Sequence, residues 1–379
     1  MLLVGIIIGL IVLVILVALH ELGHALAARR HGVVVEEFGI GMPPRAWKKK
    51  LKNGVLLTLN WLPIGGFVKL QGEHDSANKK GDYGAATFWQ KTQILLAGVV
   101  VNWLIAVLLL TALAWVGGLP KIIPNQFAVT SDASYVRTPV EILALKDDYP
   151  AAKAGLQKGD VVTKINGVPV ETVQDLIKES STHRGEATQV AYERGGKEGV
   201  ATVRFRDEDK EVFGAQLGQS EKLRATWSAP IVGVVTTGQY TWATLQGLGN
   251  LVADTVTGLF GQLTANSDAR QAASEKLGRA GDSVAGPVGI LGTIFPNASK
   301  AGPEQVVFLA AIISLTLAVM NILPIPALDG GRWFVTAMFK LFKKPLTKER
   351  EETIHGVGFM VLLGLILLIT ILDISKLFR

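Results

Sequence analysis

Residues 2–24 read LLVGIIIGLIVLVILVALHELGH. Leu2 to Leu19 form eighteen residues without a charge or a polar side chain, and a helix crossing the bilayer core needs about 20 such residues. Directly after them, His20-Glu21-Leu22-Gly23-His24 places three ionisable groups on a continuation of the apolar run. Such groups are costly inside a membrane, so they mark function or pairing. Histidines four apart share one helical face and can bind a single zinc ion. Glu21 then stands close enough to take a proton from a water activated there. Ala25-Leu26-Ala27 resembles a leader cleavage site. The apolar run is nevertheless too long for a secretory leader and has no basic stretch before it, so the segment reads as a retained transmembrane helix.

Three further segments are apolar enough to span: about 94–116, about 306–323 and about 357–372. The 379 residues are 49% hydrophobic and only 18% charged, against about 25% charged in soluble domains. With no cysteine, thiol nucleophiles, disulfides and cysteine-ligated metals are excluded, and any metal must be held by His, Asp or Glu. Basic residues crowd the stretch between the first two helices, including Arg29, Arg30, Arg45, Lys48, Lys49, Lys50 and Lys52, and the link between the last two, Lys340 to Arg350. The positive-inside rule puts both links in the cytoplasm. Segment 117–303 and both termini then lie outside the cytoplasm. The net charge of +6 follows from this topology, and no nucleic acid is implied. Leu245, Leu248, Val252, Val256, Leu259 and Leu263 recur at helical spacing, diluted by Gln246, Asn250 and Asp254. A fifth span here would turn the Lys340–Arg350 link outward, so this stretch is expected to be an amphipathic helix lying on the outer membrane surface.

Four parts are expected: a first membrane half, 1–127; a small α/β domain, 128–225; an interfacial helix region, 226–303; and a second membrane half, 304–379. In the α/β domain, Val161, Val162 and Ile165 form a strand before the Asn166-Gly167 turn. Val173, Leu176 and Ile177 mark a short helix, and Gly195-Gly196 joins two strands. Residues 54–72, GVLLTLNWLPIGGFVKLQG, read as a hairpin with Gly65-Gly66 at its centre.

Two histidines leave zinc short of a third ligand. Arg30 occupies the position where a metzincin has its third His, and Glu36 or Glu37 is marginally placed for a thermolysin-like site. Asp329 is the better candidate. It lies in NILPIPALDGG, residues 321–331, just past the third helix, which the prolines must break. Helices one and three both run inward on this topology, so His20, His24 and Asp329 approach one leaflet.

The combination of the membrane-embedded His20–His24 motif, the Asn321–Gly330 motif and the stretch YPAAKAGLQKGDVVTKINGVPV at 149–170 resembles the site-2 proteases, in particular the bacterial regulator-of-sigma-E proteases. Ala285–Ile290 is similar to their segment before the third helix. The resemblance implies a polytopic α-helical membrane protein with four transmembrane helices, a membrane-associated β-hairpin and an inserted extracytoplasmic PDZ-like domain. It implies residence in a bacterial cytoplasmic (inner) membrane. It further implies His20, His24 and Asp329 as ligands of one Zn²⁺ per chain and Glu21 as general base. Asn321 and Pro324, with Gly65 and Gly66 of the hairpin, are implied as substrate-binding. Substrates would be single-span membrane proteins, such as anti-sigma factors or signal-peptide remnants already trimmed outside. An exposed hairpin edge could hold an extended stretch of such a substrate by strand addition. No glycine-rich carboxylate-binding loop precedes Tyr149, so the PDZ-like domain could exclude bulky outer domains as readily as bind them. A metal or ion transporter would need paired broken helices, whereas only one broken region is visible. An inactive PDZ adaptor would have no need of Glu21.

Overall fold

Helix α1, Leu2–Arg30, carries the apolar run and the histidine motif as one unbroken helix. The structure is a computed structural model that describes residues 2–207, 212–264, 267–282 and 284–377. It divides into two compact units, Met1–Gly117 with Trp227–Arg379, and Gly118–Thr226. Among the described residues, four helices are long and apolar enough to cross a membrane: Leu2–Arg30, Phe88–Gly117, Pro303–Ile322 and Lys348–Ser375. These coincide with the four expected spans.

After α1 come two long antiparallel strands, β1 (Val35–Lys50) and β2 (Leu56–Leu70). Their register corrects the expected hairpin over 54–72. The halves of β2 do not pair with each other across Gly65-Gly66. Phe38 faces both Leu57 and Val68, Ile40 faces both Leu59 and Gly66, and Lys48 faces Thr58. Four ladder segments result, in the order 45–50, 56–60, 37–42 and 66–70, and segment 66–70 forms one edge. The reversal lies at Asn53-Gly54, where Gly54 has a φ of 89° and Asn53 Oδ1 accepts from the Val55 amide. A glycine suits that left-handed conformation. Glu37, buried in this sheet, accepts from Arg45 at 2.6 Å and from Thr58 at 2.9 Å.

Helix α2, Phe88–Ala112, starts with a capping box of Thr87 and Gln90. Beyond a π-helical turn, the second unit holds β3 (Leu119–Pro120), β4 (Ser134–Arg137), β5 (Val140–Leu145), α3 (Pro150–Lys153), β6 (Val161–Ile165), β7 (Val168–Pro169), α4 (Val173–Thr182), β8 (Ala187–Arg194), β9 (Lys197–Arg204), β10 (Ala215–Gly218) and β11 (Glu221–Arg224). Its main sheet runs β10-β5-β6-β8-β9, with β7 paired to β6, and β3-β11-β4 form a second sheet. The core is built from Val140, Ile142, Val162, Ile165, Leu176, Val190 and Phe205, among others. Asp160 is buried there and receives Arg194 at 2.6 and 2.7 Å and the Gln157 amide at 2.7 Å. The Arg194 hydrogen bonds hold its carboxyl below the usual carboxylate range. Because the folded value is depressed, this pair stabilises the unit above the unfolded value of about 3.9. That contribution is lost as pH falls through the folded value. Arg194→Met should therefore lower the unit's melting temperature and move its acid unfolding to higher pH, followed by hydrogen exchange of the full chain.

The first unit resumes with α5 (Ala229–Gln262) and α6 (Ser267–Asp282). The stretch 245–263, expected to lie on the membrane surface, falls in the second half of α5. The first half of α5 runs alongside α2 in the opposite direction, with Gly233 against Thr111 and Thr241 Oγ1 accepting from Trp103 Nε1 at 3.2 Å. Gly233, Thr236 and Thr237 are buried. These small residues allow two helices to approach closely. The hydroxyls of Thr237 and Thr241 each bond a carbonyl one turn back at 2.7 Å, so polar letters that dilute the hydropathy become a packing face. Then follow α7 (Pro287–Gly289), α8 (Phe295–Ala301), α9 (Pro303–Ile322), α10 (Asp329–Leu341) and α11 (Lys348–Leu377).

Candidate metal centre

Helix α9 ends at Ile322 and α10 begins at Asp329. The six residues between them contain Pro324 and Pro326, which cannot continue a helix. Gly330 and Gly331 let α10 turn back tightly, since a Cβ on either would sit 2.2 Å from the Ile322 carbonyl oxygen or 1.9 Å from that of Ile325. Helix α11 holds the loop from the other side. His355 Nδ1 accepts from the Ala327 amide at 3.1 Å, and Gly358 lies against Pro326.

The result is a tight triangle. His20 Nε2 and His24 Nε2 are 3.2 Å apart, and each is 3.2 Å from Asp329 Oδ2. Both imidazoles are buried, and Oδ2 is a buried oxygen without a hydrogen-bond partner. Three electron-pair donors at this spacing could hold a metal ion among them. A tetrahedral zinc with ligands at about 2.0–2.1 Å separates them by roughly 3.3 Å, so the three residues fit zinc. His24 Nδ1 lies 2.8 Å from the Ile94 carbonyl oxygen, to which it can only donate, leaving Nε2 free as a ligand. Glu36 pairs with Lys69 at 2.8 Å and Glu37 is held by Arg45 and Thr58. Both marginal candidates for the third ligand are therefore engaged elsewhere.

Glu21 lies in α1 between the two histidines. A Cβ on Gly66 would be 3.6 Å from Glu21 Cγ. The edge segment 66–70 thus runs beside Glu21. Asn321 occupies the last turn of α9, and Pro324 lies in the link to α10. Gly65 turns the chain into the edge segment with a φ of 79°.

Three features escape a reading of the sequence alone. Gly98 of α2 lies under both imidazoles: a Cβ there would stand 2.5 Å from His24 Nε2 and 2.6 Å from His20 Cε1. Gly98→Ala should weaken zinc binding on the order of 10-fold or more, measured by chelator competition. Next to Asp329 an open cavity of about 820 Å³ is lined by Glu36, Glu73, Arg332, Glu351, His355 and Phe359, among others. Arg332 is tied to Glu73 Oε1 at 2.9 Å and to the Glu73 carbonyl, and stacks on Tyr83. In the second unit a groove of about 550 Å³ lies between α4 and β10, lined by Val173, Ile177, Phe213, Gly214 and Leu217, among others. Gly214, with a φ of 77°, packs against the Tyr149 side chain just before β10, which forms one edge of the sheet.

Residues 8–365 match Peptidase family M50. The chain is 28% identical over 446 residues to the zinc metalloprotease RasP of Geobacillus kaustophilus, covering 96% of each chain. It is 26% identical over 447 residues to the regulator of sigma-W protease RasP of Bacillus subtilis, again covering 96% of each. Among solved structures, 21% of the chain is similar to 86% of the PDZ domain of an SdrC-like protein from Listeria monocytogenes, at 29% identity and a TM-score of 0.19. With the three donors convergent and the match running nearly end to end, the chain belongs to Peptidase family M50, the site-2 proteases, and is a zinc metalloprotease.

Proposed function

We propose that this protease is an intramembrane endopeptidase of the bacterial cytoplasmic (inner) membrane. It cuts single-span membrane proteins, anti-sigma factors or signal-peptide remnants, whose outer domains have been trimmed beforehand. The observation that carries this reading is the position of edge segment 66–70 beside Glu21. A membrane-spanning helix hides its peptide bonds in its own hydrogen-bond ladder, and hydrolysis needs an extended stretch. The edge segment can take such a stretch as an added strand and present its carbonyl beside the donor triangle. Gly65 and Gly66 carry no side chain that would stand in its way. Asn321, at the end of α9, and the Pro324 bend would flank the same stretch.

His20, His24 and Asp329 would hold zinc, which when bound supplies a Lewis acid that acidifies water and polarises the scissile carbonyl. Glu21 takes the proton from the attacking water and returns it to the leaving nitrogen.

The PDZ-like unit would lie outside the cytoplasm with both termini. The open edge of β10 facing α4 favours capture of an extended substrate segment over mere exclusion. Ile177, exposed in that groove, gives the test. Ile177→Lys should slow cleavage of a substrate that retains its outer tail by about 10-fold and leave a short model substrate untouched. Equal loss on both substrates would speak against recruitment.

The central test is zinc analysis of the purified full chain together with cleavage of a model single-span substrate. Expected are one zinc per chain and a cut within the apolar segment, lost on chelation and restored by zinc. Cleavage confined to the soluble flanks, or undiminished after zinc removal, overturns the proposal.

A further inference from the structure

The two histidines are not supported alike. His24 has a carbonyl acceptor for its outer nitrogen, whereas the outer nitrogen of His20 faces the side chain of Asn102. Asn102 is fully buried on α2, with Nδ2 3.4 Å from His20 Nδ1 and with Oδ1 lacking any partner. Its own backbone carbonyl accepts from Ser314 Oγ of α9 at 2.8 Å. The residue is therefore pinned between two helices, one of which leads to Asp329.

Resting on the zinc reading above, we infer that Asn102 is a positioning residue that orients His20 by accepting a hydrogen bond from its Nδ1–H. His20 Nε2 faces Asp329 and His24. A ligating nitrogen must be free of its proton, so a neutral His20 carries that proton on Nδ1. A proton on Nδ1 opposite an amide NH₂ sets donor against donor and leaves the amide oxygen orphaned. Turning the amide by half a rotation exchanges two groups of almost the same shape. The turn pairs Nδ1–H with the orphaned oxygen.

Ile94, Gly98 and Asn102 are spaced four apart and share one stripe of α2. Ile94 offers its carbonyl to His24, Gly98 gives both rings room, and Asn102 serves His20. One face of α2 thus sets the tautomer and the tilt of both ligands. An outer hydrogen bond of this kind fixes the ring and raises its basicity as a ligand.

The test compares Asn102→Leu and Asn102→Asp in the full chain, reading the zinc dissociation constant by chelator competition and the melting temperature of the metal-stripped protein. Leu is close in size and cannot accept. Its zinc affinity should fall about 10- to 100-fold with no loss of metal-free stability. Asp keeps an acceptor at the same place and should hold zinc within about 3-fold of the native chain, as in carboxylate–histidine–zinc arrangements. A residue that merely fills space gives the opposite order, with Leu binding zinc normally and Asp, as a buried charge, impaired. If the Asp variant does not fold, the Leu variant decides alone. Native zinc affinity in Asn102→Leu overturns the inference and leaves the zinc reading standing. A native chain that takes up no zinc overturns both.

Discussion

Glu21→Gln should reduce cleavage of a single-span substrate by about 10²- to 10⁴-fold while the zinc content stays unchanged. Gln preserves the length and planarity of Glu21, so its contact with Gly66 is kept. The amide cannot take up the proton of the attacking water or hand one to the departing nitrogen. At about 1.4 kcal/mol per decade, the expected loss corresponds to roughly 3–5 kcal/mol of barrier. The variant should still bind an uncut substrate, because the edge segment 66–70 is intact. Trapping that complex and measuring zinc on the same sample separates loss of the base from loss of the site. Turnover close to the native rate in a zinc-loaded Glu21→Gln protein would remove Glu21 from the mechanism.

Asp329→Ala should act one step earlier, on the metal itself. Apparent zinc affinities of four-ligand sites amount to about 10–16 kcal/mol. Losing one ligand therefore removes about 3 kcal/mol, on the order of 100-fold in dissociation constant. The substitution leaves the Gly330-Gly331 turn and the His355 contact to Ala327 in place, so the link between α9 and α10 should keep its path. Activity should return partly at high zinc, which does not happen for Glu21→Gln. Undiminished affinity would assign the third ligand to another group, although Glu36 and Glu37 are already engaged with Lys69 and Arg45.

The parts legible in the sequence are those that depend on local composition. Eighteen apolar residues are long enough to read as a span, and histidines four apart on a helix must share a face. Asp329 was reachable because the prolines before it end an apolar helix. What stayed hidden depends on partners distant in the chain. The first half of β1 lies between the two halves of β2, a pairing set by the turn at Asn53-Gly54 rather than by the more conspicuous Gly65-Gly66. The first half of α5 looks too polar for packing along a spanning helix because hydropathy counts threonine as polar even when its hydroxyl bonds its own helix. Gly98 has no chemistry of its own, and its importance appears only once the two rings are seen resting on it.

The donors of the centre come from opposite ends of the polypeptide, His20 and His24 near its start and Asp329 near its finish. A nascent chain still short of residue 329 carries only two of the three donors, however well its first helix has already been inserted. On the proposed zinc reading, the growing chain thus lacks a complete donor set throughout most of its synthesis. The donor set is complete only late, when the link after α9 brings Asp329, the first residue of α10, to the waiting pair. Separation along the chain thus acts as a built-in delay on assembly of the centre.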